Sequence, residues 1–174
     1  VNRLAASATF AMMQKSNELS AQGVDVVNMS VGEPDFNTPD YVKKAAIEAV
    51  EQNYSKYSPV PGYMWLRKAC SDKLKRENNL DYSPAEILVS TGAKQSLCNV
   101  IMAVVNPGDE VLLPSPCWVS YPEMVKLAGG VPVVIKAGID QDFKVTAAQI
   151  EAAITPKTKA MMICSPSNPT GSVY

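Results

Sequence analysis

Residues 87–113, ILVSTGAKQSLCNVIMAVVNPGDEVLL, decide the fold. An apolar run at 87–91 meets Gly92, after which Leu97, Val100, Ile101 and Val104 recur at the spacing of one helical face over 93–105. Asn106-Pro107-Gly108 then breaks the helix, and a second apolar run follows at 110–113. Downstream the alternation continues: a helix over 118–127, a strand over 131–136, a Thr146-capped helix over 146–154 and a strand over 159–164. Strands this continuously apolar, each separated by a helix, are buried on both faces. The expectation is an α/β fold, a three-layer αβα arrangement around a mostly parallel sheet.

Upstream, a helix over 9–22 should stop at Gly23, the residue type favoured for a left-handed helix end, and 24–29 read as a short strand. The loop Val31-Gly32-Glu33-Pro34-Asp35-Phe36-Asn37 follows. Thr38 is a good N-cap with Pro39 at the first helical position, and Val42, Ala45, Ala46, Ala49 and Val50 share one helical face. After the turn-rich stretch 53–62, another helix carries Leu66, Ala69, Cys70, Lys73 and Leu74 on one side and ends near Asn78-Asn79, with Lys73 expected to snorkel.

The 174 residues are 47% hydrophobic, enough for a core of ordinary size. Sixteen basic and 17 acidic residues are interspersed, which leaves no electrostatic footprint for nucleic acid or an anionic membrane. No apolar stretch approaches the ~20 residues of a membrane span. Ala5-Ala6-Ser7-Ala8 mimics a signal cleavage site but has no apolar region before it. Cys70, Cys98, Cys117 and Cys164 lie far apart with no C-x-x-C pair, which argues against zinc or a disulfide framework and for reduced thiols in the cytoplasm. Histidine is absent, so no Ser-His-Asp or Cys-His nucleophile exists within these residues, and no metal site is expected. The first residue is Val1 rather than Met, which reads as a processed product or a fragment.

Three loops carry chemistry. In Ser90-Thr91-Gly92-Ala93-Lys94-Gln95 a strand turns into a helix, so backbone N–H groups and the positive helix end point one way, toward an anion such as phosphate; a solvated lysine beside a small-residue turn is the bland alternative. Neither a Walker loop nor a G-x-G-x-x-G fingerprint is present. In Pro114-Ser115-Pro116-Cys117-Trp118-Val119-Ser120-Tyr121-Pro122, Trp118 is available either to stack on a flat ring or to pack in the core. In Ser165-Pro166-Ser167-Asn168-Pro169-Thr170-Gly171, Pro166 and Pro169 fix their own φ angles and Pro169 restricts Asn168, so the amide is held at a strand's carboxyl end. That end is where ligands bind in open α/β sheets. A phosphate cradle, a stacking ring and a rigid amide together suit a phosphorylated aromatic cofactor.

Val31-Gly32-Glu33-Pro34-Asp35-Phe36, Lys56-Tyr57-Ser58-Pro59-Val60-Pro61-Gly62, Thr91-Gly92-Ala93-Lys94-Gln95, Pro107-Gly108-Asp109-Glu110-Val111, Trp118-Val119-Ser120-Tyr121-Pro122-Glu123 and Ser167-Asn168-Pro169-Thr170-Gly171 closely resemble the class I pyridoxal-phosphate aminotransferases of fold type I, above all the bacterial aspartate enzymes. The resemblance runs in order along essentially the whole chain and corresponds to the first half of such an enzyme.

It implies that Gly92, Ala93 and Lys94 hold the phosphate of pyridoxal 5'-phosphate, that Trp118 stacks on its ring, and that Asn168 donates to the ring's phenolic oxygen near the substrate carboxylate. Gly32 would approach that carboxylate through its backbone, and Tyr57 would reach the cofactor phosphate of the partner in a homodimer. Residues 1–45 would belong to the small domain and 46–174 to the first half of the large, cofactor-binding domain. The Schiff-base lysine, the aspartate at the pyridine nitrogen and the arginine for the substrate follow the Asn-Pro-Thr-Gly loop in the family. No catalytic residue is therefore expected among these residues, which alone should be inert, with apolar faces and strand edges left open.

The implied activity is transfer of an α-amino group, from aspartate or glutamate, to a 2-oxo acid through the pyridoxal and pyridoxamine forms of the cofactor. An aromatic, alanine or kynurenine-type aminotransferase, or a lyase on the same cofactor, stays open. So do a nucleotide-binding α/β module, disfavoured by the missing glycine fingerprints, and a non-catalytic interaction fragment.

Overall fold

Val111, Leu112 and Leu113 are 0, 2 and 0% exposed, because the strand that contains them, β1 (Glu110–Ser115), is central in its sheet. The computed structural model describes residues 4, 8–29 and 32–174. The chain divides into two compact units, one formed by Val1–Val31 and Ser96–Tyr174, the other by Gly32–Gln95.

In the first unit, β2 (Val131–Lys136) and β3 (Thr158–Met161) flank β1 in the order β2-β1-β3, and both pair with it in parallel. Glu110 faces Val131 and Ser115 faces Lys136 along one ladder; Leu112 faces Met161 along the other, after an irregularity between Glu110 and Val111. Alternation along β1 sends Val111 and Leu113 to one face and Leu112 to the other. On the first face they pack with Ile101 and Val105 at the end of α4 (Ala93–Val104), and with Tyr121, Met124 and Val125 of α5 (Ser120–Leu127). On the second, Leu112 packs with Ile135, Ala137 and Val145, against Ile150 and Ala153 at α6 (Ala147–Ala153). Each such side chain, fully buried, contributes about 1.5–3 kcal/mol. Helices thus cover both faces of a parallel sheet, the three-layer α/β arrangement expected.

The same unit includes α1 (Ala8–Ala21). It ends at Gly23, φ +82°, where the N–H of Gly23 donates to Ser20 O and that of Val24 to Leu19 O, the paired bonds of a Schellman end. Residues 24–29 are not a strand, contrary to expectation. They form no ladder among the described residues, and Val27 and Met29 are 84 and 90% exposed. Ala5, Ala6 and Ser7 of the cleavage-like tetrapeptide, and Val31 of the following loop, lie outside the described residues.

The second unit holds α2 (Asp40–Glu51) and α3 (Met64–Asn78). The first of these starts one residue later than expected: Pro39, not Thr38, is the cap, and its carbonyl accepts from Val42 and Lys43 while no side chain caps the helix. Asp40 in the first turn offsets the missing cap through the helix dipole. Asn79, in the left-handed region at φ +54°, terminates α3. Lys73 does keep its ammonium in solvent, 3.2 Å from Glu77. Residues 87–91, expected as a strand, form none; their tie is instead to the turn-rich stretch, Val89 N–H to Pro61 O. Pairing, not apolar content, makes a strand, and no other strand lies in this unit.

Candidate active site

In the first unit two loops leave the carboxyl ends of adjacent parallel strands, that of Trp118 after β1 and that of Asn168 after β3. The peptide bonds Ser115-Pro116, Ser165-Pro166 and Asn168-Pro169 are cis. Trp118 is half-buried, and its ring meets Tyr121 edge to face, with centroids 5.6 Å apart and planes at 87°. The spacing explains the contact: the Tyr121 N–H donates to Trp118 O at 3.0 Å, so the turn that opens α5 brings residues i and i+3 together.

The Asn168 loop is closed by its own backbone. Ser167 N–H donates to Ser172 O at 2.9 Å, and Gly171 N–H, at φ +77°, donates to Ser167 O at 2.7 Å. Tyr174 fastens the far end, since its N–H donates to Ser165 Oγ and its hydroxyl accepts from Val145 N–H at 3.0 Å. Asn168 stands exposed at the tip. Beneath the two loops a cleft of about 10 Å³, room for one water at most, is lined by Cys117, Tyr121, Cys164 and Ser167 among others. Burial pushes the Cys117 thiol up, and burial first, with the neighbouring Cys164 side chain second, pushes the Tyr121 hydroxyl up to about 12. Both groups are neutral at ordinary pH, so this apolar floor holds hydrogen-bonding groups without charge.

In the second unit Gly92, φ +79°, turns the chain into α4. A left-handed residue is needed here, and a Cβ at Gly92 would meet nothing within 4 Å, so the turn faces open space. The N–H groups of Ala93 and Lys94 lie in the first turn of α4, at the positive end of the helix. Thr91 N–H is held by Gln95 Oε1 and Gln95 N–H by Gly92 O. Ser90 Oγ is buried with no hydrogen-bond partner among the described residues. Gly32 is exposed, with nothing within 4 Å of a Cβ, and Tyr57 is fully exposed.

Of the seven residues singled out from the sequence, Trp118 and Asn168 fall in one unit on neighbouring strand ends, while Gly32, Tyr57, Gly92, Ala93 and Lys94 fall in the other. Sequence reasoning passed over Ser90, Tyr121 and Cys164 as site-forming residues. Tyr121 was detectable by its i+3 spacing from Trp118, whereas Cys164 becomes its neighbour only through the pairing of β1 with β3. Among the described residues no group of carboxylates and thiols is placed to hold a metal, and no helix is long and apolar enough to cross a membrane.

Residues 24–174 match the family described as Aminotransferase class I and II. An aspartate aminotransferase from Bacillus sp. strain YM-2 is 52% identical over 174 residues, all of this chain and 44% of the relative. A probable aspartate/prephenate aminotransferase from Rhizobium leguminosarum bv. phaseoli is 54% identical over the same extent. The structure of aspartate aminotransferase from Thermus thermophilus with maleate superimposes with a TM-score of 0.95 at 47% identity, covering 99% of this chain and 45% of the other. The chain thus spans less than half the length of the relatives it matches.

Proposed function

Since the chain belongs to the class I and II aminotransferase family, we propose that the protein transfers an α-amino group from an amino acid, aspartate or glutamate, to a 2-oxo acid with pyridoxal 5'-phosphate as cofactor. The observation that carries this reading is the start of α4: a left-handed glycine facing open space, two N–H groups of a first turn and an unpaired buried hydroxyl at Ser90. A dianionic phosphate fits that donor set, because the helix dipole and the N–H groups both favour negative charge. Lys94, in the same first turn, adds a cation.

The cofactor, when bound, supplies the electron sink for breaking bonds at the amino acid's α-carbon. This chain's residues hold and orient. Gly92, Ala93, Lys94 and Ser90 would hold the phosphate, Trp118 would stack on the ring, and the Asn168 amide would donate to the ring oxygen and border the substrate carboxylate. Gly32 offers its backbone to that carboxylate. The full exposure of Tyr57 supports a role across a homodimer interface, toward the partner's cofactor phosphate. Residues 1–45 are assigned to a small domain and 46–174 to the first half of the cofactor-binding domain, in a cytoplasmic enzyme whose covalent and proton-moving groups lie in the part not spanned by this chain.

The test is absorption spectroscopy of the full-length protein with pyridoxal phosphate, before and after aspartate. A visible band that shifts on adding aspartate is the expected result. Asn168→Ala should cost about tenfold or more in amino transfer, the loss of a hydrogen bond to a charged or developing-charge group. No band, or an Asn168→Ala variant with undiminished transfer, defeats the assignment.

A further inference from the structure

We propose that Arg67 is a positioning residue that locks the Gly92 turn to the loop presenting Tyr57. In the homodimer, each subunit's own phosphate site and its reach into the partner's site are then set by one rigid piece. The proposal rests on the functional reading above, and its residues all lie in the unit Gly32–Gln95.

Arg67 is 9% exposed, the one buried charged residue among those described. A buried guanidinium is costly unless it is hydrogen-bonded, and Arg67 Nε donates to Ile87 O at 2.9 Å. Two residues on, Val89 N–H donates to Pro61 O at 3.0 Å. Gly62 permits that approach. It stands at φ +98°, and a Cβ there would meet Val89 Cβ and Cγ2 at 3.1 Å and Arg67 Cγ at 4.0 Å. Ser90 follows Val89 directly, and Gly92 with the first turn of α4 comes next. The phosphate-binding turn is thus held against residues 61–67.

The other side of the lock carries Tyr57. Tyr54 and Tyr63 meet edge to face with centroids 6.0 Å apart, which closes the base of the loop between them. Gly62 N–H donates to Pro59 O at 2.8 Å, and Arg67 N–H donates to Tyr63 O at 3.0 Å. Pro59 and Pro61 fix their own φ angles and restrict Ser58 and Val60 before them. Little freedom is left between the Tyr57 backbone and the Gly62 contact. Arg67 sits in the middle of this run, bonded to Ile87 on one side and to Tyr63 on the other.

Hybrid dimers of the full-length protein, one subunit wild type and one variant, test the lock by pyridoxal phosphate titration. Tyr57→Phe in one subunit touches only the partner's site, so half the sites should keep wild-type affinity. Arg67→Met keeps an unbranched stem and removes the donor, which should loosen that subunit's own turn and, through Tyr57, its hold on the partner's phosphate. Both sites should then weaken about 3- to 10-fold, the worth of one hydrogen bond, with none left at wild-type affinity. Inorganic phosphate titrated into the cofactor-free hybrid should lose affinity by a similar factor. Where Tyr57→Phe is already present on the same subunit, adding Arg67→Met should cost the partner's site nothing more.

If Arg67→Met does not fold, Gly62→Ala, which pushes Val89 off the loop, takes its place with the same expectation. A further measurement leaves the lock whole: in the cofactor-free Tyr57→Phe homodimer, inorganic phosphate should slow amide exchange at Val89 and Gly62 by a common factor. One site of wild-type affinity in the Arg67→Met hybrid, or Gly62 exchange that phosphate leaves unchanged, overturns the lock. So does a Tyr57→Phe hybrid with both sites at wild-type affinity, because Tyr57 then has no part in the partner's site. Wild-type protein that binds no pyridoxal phosphate overturns the functional reading and, with it, the proposal.

Discussion

The sheet unit and the unit of residues 32–95 contain comparable apolar patterns and end up differently. Every buried hydrophobic residue among those described lies between Ile101 and Met162, in the sheet unit; the other unit buries one residue, Arg67, whose Nε donates to Ile87 O at 2.9 Å. The α2 face read from the sequence is regular, yet Val50 is 78% exposed and Ile47 on the same helix 60%. Periodicity states which side of a helix wants burial. Whether a surface is there to bury it is a separate fact, supplied in the sheet unit by β1 and not supplied to α2 within its own unit.

Leu113→Ala should produce the largest effect, a loss of about 2–5 kcal/mol in urea unfolding, because it empties a fully buried site. Val50→Ala should stay within about 0.5 kcal/mol. Equal costs would break the contrast and mean that α2 is covered by something beyond its own unit. Alkali sharpens the same contrast. Folded, Tyr121 keeps its proton to about 12, while the unfolded chain releases it near 10. Stability is therefore whole below pH 10 and falls as pH rises toward 12, a slope that Tyr121→Phe should remove, with hydrogen exchange placing the loss in β1 and α5.

Glycines give a smaller version of the test. A Cβ on Gly130 would meet Val105 Cγ1 at 2.7 Å and Asp109 O at 3.1 Å, so Gly130→Ala should cost about 1–3 kcal/mol. Gly32→Ala meets nothing and should leave the urea midpoint unchanged while raising the KM for aspartate. Smallest is the capping pair. Thr146 accepts from Gln149 N–H, and Gln149 reaches back to Thr146 N–H, so Thr146→Ala should cost about 1 kcal/mol; Thr38→Ala, beside a helix with no side-chain cap, should leave the thermal midpoint in place.

Legibility follows the range of the forces involved. β2 at 131–136 matches its expected bounds, α1 ends at the expected glycine, and the capping box of α6 is the threonine-led start read in advance. All three are settled by neighbours a few residues away. The segments 24–29 and 87–91 carry apolar runs as good as that of β2, yet a ladder depends on a second strand that local composition does not mention. The site shows the same split. Proline, tryptophan and glycine marked the loops of Asn168, Trp118 and Gly92, because those residue types restrict or free the backbone where they stand. Tyr121 and Cys164 are far apart in sequence, and only the β1–β3 pairing brings both to the lining of one cleft.

The strand order β2-β1-β3 also sets a timetable. The middle strand leaves the ribosome first, and its two neighbours arrive later, one at a time. With synthesis at roughly 5–20 residues per second, β1 spends seconds with its second edge bare after β2 has docked. During that interval Val111 and Leu113 have no complete shelter, and the nascent chain is most open to misassociation or to a chaperone. Nascent chains stalled between residues 136 and 158 should accordingly be cut readily by protease, and those stalled far enough beyond β3 to release it should resist.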